Sequence, residues 1–168
     1  MRNRHWIMTW VWLAIFSLRI SAAEAEIGTL EARTKAWVES YNSNKLATMM
    51  EFYEDNDKLD ILVSVGMSIK GKADYKKLLS HDLAHNNFFD SKLEKLSVRE
   101  IDEFGVVAFV HKFKVKVKQS GEIVQVHIRT TMTWRKIDGK WKIIQEHSSP
   151  IIDIPRHKLI DAGDSKEE

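Results

Sequence analysis

The sequence predicts an α+β fold in which three N-terminal helices pack on one face of a curved antiparallel sheet. Apolar residues recur at helical spacing in three segments, Ile27 to Asn44, Lys45 to Glu54 and Ala73 to His85, whereas from Lys92 onward the period falls to two. Ser120-Gly121 and Asp138-Gly139 punctuate the second half at hairpin spacing, and Asp-Gly suits the two positive φ angles of a type I′ turn. Helices first and then strands joined by tight turns is the order of an α+β protein, not of alternating βα units.

The first helix is predicted from Ile27 to Asn44, with Ile27, Leu30, Trp37, Val38 and Tyr41 on one face. After the break at Asn42-Ser43-Asn44, a shorter helix runs from Lys45 to Glu54 and turns Leu46, Met49, Met50 and Tyr53 inward. Lys58 to Ser64 and Met67 to Ile69 read as short strands around Gly66. Gly71 precedes a third helix, Ala73 to His85, whose inward face is Tyr75, Leu78, Leu79 and Leu83. Beyond Asn86-Asn87, four long strands are predicted at Lys92 to Phe104, Val106 to Gln119, Ile123 to Ile137 and Lys140 to Ile152.

Composition bounds the function. At 168 residues the chain is about one domain long. Its 43% hydrophobic content against a net charge of +2 excludes disorder. The absence of Cys removes disulfides, thiolate metal sites and thiol nucleophiles. Arg2, Arg4 and Arg19 account for the basic excess, so a chain starting at Glu24 is nearly neutral and lacks the footprint of a nucleic-acid binder. No cofactor motif is present, and none is expected.

Residues 1–23 have the three regions of a secretory signal peptide. The basic start Arg2-Asn3-Arg4 leads into the apolar run Trp6 to Leu18 and then Ser21-Ala22-Ala23-Glu24-Ala25. The run is shorter than the roughly 20 apolar residues a bilayer requires. Cleavage after Ala23 or Ala25 is expected, giving a periplasmic or secreted protein without a stable membrane anchor. The expected domain then occupies residues 24–155, and residues 156–168 form a polar tail.

The segments Trp37 to Asn42, Phe52-Tyr53-Glu54-Asp55, Gly71, Arg129-Thr130-Thr131, Asp138-Gly139-Lys140-Trp141-Lys142-Ile143-Ile144 and His147-Ser148-Ser149 resemble the SnoaL-like branch of the NTF2-like (ketosteroid isomerase-like) superfamily. The resemblance covers about residues 28–152. It implies a cone-shaped α+β barrel with a pocket between sheet and helices, usually dimerised through the sheet. It does not imply one reaction, since this fold hosts isomerases, dehydratases, kinase-hub domains and binding proteins. The helix-one position resembling the isomerases' Tyr holds Trp37, and the position resembling their oxyanion Asp falls near Thr131. The base falls around Asp60 to Leu62. Met132 and Ser148 stand where the kinase association domains carry pocket arginines.

Several polar residues invite a role. On the strand from Val106, Phe109, His111, Phe113, Val115 and Val117 share one face, while Lys112, Lys114, Lys116 and Lys118 share the other. A histidine in that apolar row is either a core residue satisfied by a neighbour or a ligand contact. Alternation puts Ile128, Thr130, Met132 and Trp134 inward and Arg129, Thr131 and Thr133 outward, unless a bulge reverses it. His147 shares a face with Trp141, Ile143, Gln145 and Ser149, at a pocket rim or an interface. The candidate pocket is therefore Trp37, Tyr41, His111, Met132, Trp134 and His147, with Arg129 and Thr131 at an interface or the pocket. His81-Asp82-Leu83-Ala84-His85 looks superficially like a zincin motif, but His81 lies off the inward face, and no metal is expected.

Two functions remain open on these residues. One is a module that binds a small, largely apolar molecule or a partner protein. The other is an enzyme of isomerase, dehydratase or hydrolase type using His111 with a carboxylate such as Asp60. A homodimer through the sheet is expected, its lysines offset by acids such as Glu122 or Glu146.

Overall fold

The computed structural model describes residues 28–64 and 66–151. The predicted signal peptide and polar tail lie outside the described residues. Helix α1 (Leu30–Ser40) continues into a 3-10 turn (Tyr41–Ser43) and is followed by α2 (Leu46–Met50). The short strands β1 (Asp60–Leu62) and β2 (Ser68–Lys70) lead to α3 (Lys72–His85). Strands β3 (Asn86–Ile101), β4 (Phe104–Val117), β5 (Ile123–Ile137) and β6 (Lys140–Pro150) complete the chain.

Thr29 starts α1 by accepting a hydrogen bond from the Ala32 amide at 3.1 Å. Leu30, Thr34, Trp37 and Val38 then form its buried stripe. The expected helix to Asn44 tightens to 3-10 at Tyr41, and Asn44 closes it in the left-handed region at φ 51°. The second helix is half its expected length, although Met49, Met50 and Tyr53 are buried as expected. Gly71 opens α3 at φ 80°, where a side chain would be strained, and its amide donates to the Leu59 carbonyl at 2.7 Å.

The sheet order is β2-β1-β6-β5-β4-β3, curved and unclosed, with β2 and β3 at the edges. One expectation is corrected here: β1 runs parallel to β6, so the sheet is not wholly antiparallel. Asp138 and Gly139 both take positive φ in the β5–β6 turn, as type I′ geometry requires. β3 begins at Asn86, six residues before the predicted start, because the chain leaves α3 directly into an extended conformation.

Curvature comes from bulges. β3 gains one residue on β4 between Phe89 and Lys92 and another between Glu94 and Ser97, with Asp90 and Lys95 at positive φ. β6 gains one on β5 at Ile144, since Trp134 faces Ile143 whereas Thr133 faces Gln145. The core between sheet and helices includes Leu30, Trp37, Met49, Tyr53, Ile61, Val107, Met132, Trp134 and Ile143, all at most 1% exposed.

Candidate functional site

A cavity of about 210 Å³ lies between α3, the β1–β2 hairpin and the inner face of the sheet. Its apolar walls include Tyr41, Met67, Leu79, Phe88, Phe113 and Ile128. Its polar groups are Ser64, Tyr75, Asp82, Glu146 and Ser148, and no Lys, Arg or His lines it among the described residues. The wider depressions over α2 and α3, lined by Leu46, Ala73 and Lys76, are open to solvent.

Glu146 is the centre of this site. The extra residue Ile144 reverses the alternation of β6, so Glu146 pairs with Met132 and Ser148 with Thr130 on the inner face. Tyr53 is brought beneath the carboxylate by a parallel bridge to Ile143, where the Glu54 amide donates to the Ile143 carbonyl at 2.9 Å. The Tyr53 hydroxyl donates to Glu146 Oε2 at 2.7 Å, and Ser148 Oγ donates to Oε1 at 3.2 Å. Because the Tyr53 hydrogen is committed, Trp37 Nε1 at 3.0 Å and the Tyr75 hydroxyl at 3.3 Å both donate to its oxygen. Thr130 and Ser148 hydroxyls meet at 3.1 Å behind the carboxylate.

All of these partners are neutral. Burial therefore pushes the Glu146 carboxyl up to about 7, against the lowering effect of the Tyr53 and Ser148 hydrogen bonds. Burial, followed by the charge of Glu146, holds the Tyr53 and Tyr75 hydroxyls well above the usual phenol value, so both stay protonated. Asp82 is also raised, by burial, against the lowering influence of His81 and His85.

The structure brings only part of the expected site together. Tyr41 lines the cavity. Trp37 stands behind it, holding Tyr53. Met132 and Trp134 are fully buried in the core, where alternation places them, and are not among the cavity's lining residues. His111 is also fully buried, among the rings of Trp37, Tyr41, Phe109 and Phe113, and is likewise not on the wall. Ser91 Oγ donates to the Val38 carbonyl at 2.9 Å, so at 2.6 Å His111 Nε2 is the donor to Ser91. Burial lowers the His111 pKa to about 3 and keeps the ring neutral.

His147 is corrected by the Ile144 bulge: it does not share a face with Trp141 and Ile143 but is exposed on the outer face. Arg129 and Thr131 are exposed on that same outer face. Glu146, expected among the surface acids, is 4% exposed and points inward. Asp60 alternates with the buried Ile61, so β1 turns it away from the interior that holds His111. His81 and His85 are exposed, and among the described residues no cluster of three or more His, Asp or Glu could hold a metal. Sequence reasoning missed Tyr53, Tyr75, Glu146 and Ser148 as a group. The inward positions of Tyr53 and Tyr75 were readable; the reversal on β6 was not.

A helix-backed, curved sheet with a polar-floored apolar pocket defines a pocket protein of the NTF2-like fold. The SnoaL-like domain family matches residues 30–153, and the chain belongs to that family. No curated protein matches the sequence. Among solved structures, the chain is similar to a proposed calcium/calmodulin-dependent protein kinase II association domain from Xanthomonas campestris, with 21% identity and a TM-score of 0.62 over 74% of this chain and 87% of that one. It is similar to a proposed dehydratase of the NTF2-like family from Streptomyces avermitilis, with 12% identity and a TM-score of 0.66 over 77% and 98%. A ketosteroid isomerase-like protein from Erwinia carotovora shares 16% identity, with a TM-score of 0.64 over 76% and 97%. At these identities the likeness shows the fold alone.

Proposed function

We propose that this protein binds a small, largely apolar molecule in the cavity above Glu146, with one polar group of that molecule meeting the carboxyl. The carrying observation is a 210 Å³ void whose walls are aromatic and aliphatic and whose floor is a buried, hydrogen-bonded carboxyl. A carboxyl with no counter-charge is costly to bury, and a bound polar group offsets that cost. A fragment screen by NMR tests this: hits should shift the signals of Met67, Leu79 and Phe113, and Leu78→Trp, which fills the void, should abolish them. Hits that ignore the Leu78→Trp change would place the binding elsewhere.

A second reading, proton transfer by Glu146, is favoured by one observation: the carboxyl is held at about 7 beside the Tyr53 and Tyr75 hydroxyls. Turnover lost in Glu146→Gln with substrate affinity retained would support it. The carboxylate of an enzyme here is Glu146, and His111 is not its partner.

We propose that the protein is exported, on the strength of the sequence of residues 1–23. Mass spectrometry should find the chain starting after Ala23 or Ala25. Homodimerisation through the outer face is proposed from the exposed Leu62, Phe104 and Val106 beside Thr131 and His147.

A further inference from the structure

Among the described residues the pocket carries acids and aromatic rings but no cation, and that combination selects a charge type. Among the described residues, Asp82 from α3 and Glu146 from β6 are the only charged ones on its wall. Both line the cavity together with the rings of Tyr41 and Tyr75. A carboxylate offers about four acceptor positions. Tyr53 and Ser148 occupy one on each oxygen of Glu146, leaving the remainder for another donor. Tyr41, Phe88 and Phe113 contact one another ring to ring, giving π faces and edges on the cavity wall.

Resting on the reading of this cavity as a binding site, we propose that its occupant is an organic cation: a small ammonium compound with an apolar body. An ammonium donates to the open acceptor positions of Glu146 and sits against the aromatic wall, where ring quadrupoles attract positive charge. An anionic ligand would meet two carboxyls and no donor cation. An apolar body the size of one ring fits the volume, since a dry cavity of about 150 Å³ accepts benzene.

The groups that face Glu146 are the hydroxyls of Tyr53, Tyr75 and Ser148, and Tyr41 and Asp82 line the same cavity. His81 and His85 act on Asp82 from the exposed side of α3. None of these supplies a competing fixed cation at the floor.

The test compares benzylamine with benzyl alcohol, near-isosteres that differ in charge, by calorimetry on the full chain at pH 8. Benzylammonium is expected to bind at least about tenfold more tightly, as charge-assisted pairing with a buried carboxylate requires. Glu146→Gln should bring the two affinities within about threefold, and the wild-type comparison stands even if that variant folds poorly. If benzyl alcohol binds as tightly as the amine or more so, the cation proposal is overturned while the binding pocket stands. If neither binds, both fail.

Discussion

Replacing Glu146 with Gln should change how stability responds to pH, and in a direction that is not obvious from the wild type. The folded chain holds the Glu146 proton at a pKa of about 7, against 4.5 for an ordinary carboxyl. The stabilisation from that proton is complete below the ordinary value and is lost as pH rises through 7. Between pH 5 and pH 8 the loss is about 2.5 kcal/mol. His111 works in the opposite sense. Its pKa falls from 6.5 to about 3 on folding, so acidification protonates the unfolded chain first. From pH 8 to pH 5 the native state thereby loses about 2 kcal/mol.

The two contributions nearly cancel in the wild type, whose stability from these groups is close to level across this range. Glu146→Gln removes one of them while leaving an acceptor for Tyr53. The variant should therefore lose about 2 kcal/mol on going from pH 8 to pH 5. Urea denaturation of both chains at the two pH values measures this, and Asp82, present in both, drops out of the difference. A difference between variant and wild type that stays constant within about 0.5 kcal/mol would mean that Glu146 is not held protonated by burial.

His111→Phe should cost about 1 to 3 kcal/mol at pH 8, because the Ser91 hydroxyl loses its donor, while leaving ligand affinity unchanged. Loss of affinity at full stability would instead return His111 to the binding site. Gly105→Ala should cost about 1 to 3 kcal/mol by thermal or urea unfolding, since its Cβ would lie 2.2 Å from Cδ2 of Leu30, which is fully buried and must shift within the core. Thr131→Arg, on the exposed outer face, should convert the proposed dimer to a monomer in light scattering; a dimer mass unchanged by the substitution would remove that face as the interface.

Much of the fold was legible because its signals are local. Strand β5 begins and ends where the period-two pattern and the two turns place it, and the buried row Val107, Phe109, His111 of β4 follows from alternation alone. Asn86-Asn87 misled because Asn reads as a turn residue, whereas here the extended chain starts within the helix cap. The bulges were not legible. Asp90 and Lys95 adopt positive φ without being Gly, and Ile144 is an ordinary strand residue whose extra place in the ladder exists only relative to β5. The parallel pairing of β1 with β6 joins segments some 85 positions apart, beyond any local pattern.

The one residue that local rules misplace most severely is also the one on which the pocket depends. Strict alternation on β6 would turn Gln145 and His147 inward and leave Glu146 in water, where a carboxyl costs nothing. The Ile144 bulge instead buries it, beside neutral donors only, so the folded state gives up stability as pH rises through 7 and the carboxyl ionises without a counter-charge. Trp37, Tyr53, Tyr75, Thr130 and Ser148, drawn from α1, the loop after α2, α3, β5 and β6, all have hydrogen bonds in the network around that carboxyl. Such convergence on a destabilising group is what a functional site looks like when folding and binding compete. A ligand that pairs with Glu146 would offset that cost by binding only the folded chain, which couples occupancy of the cavity to the stability of the whole domain.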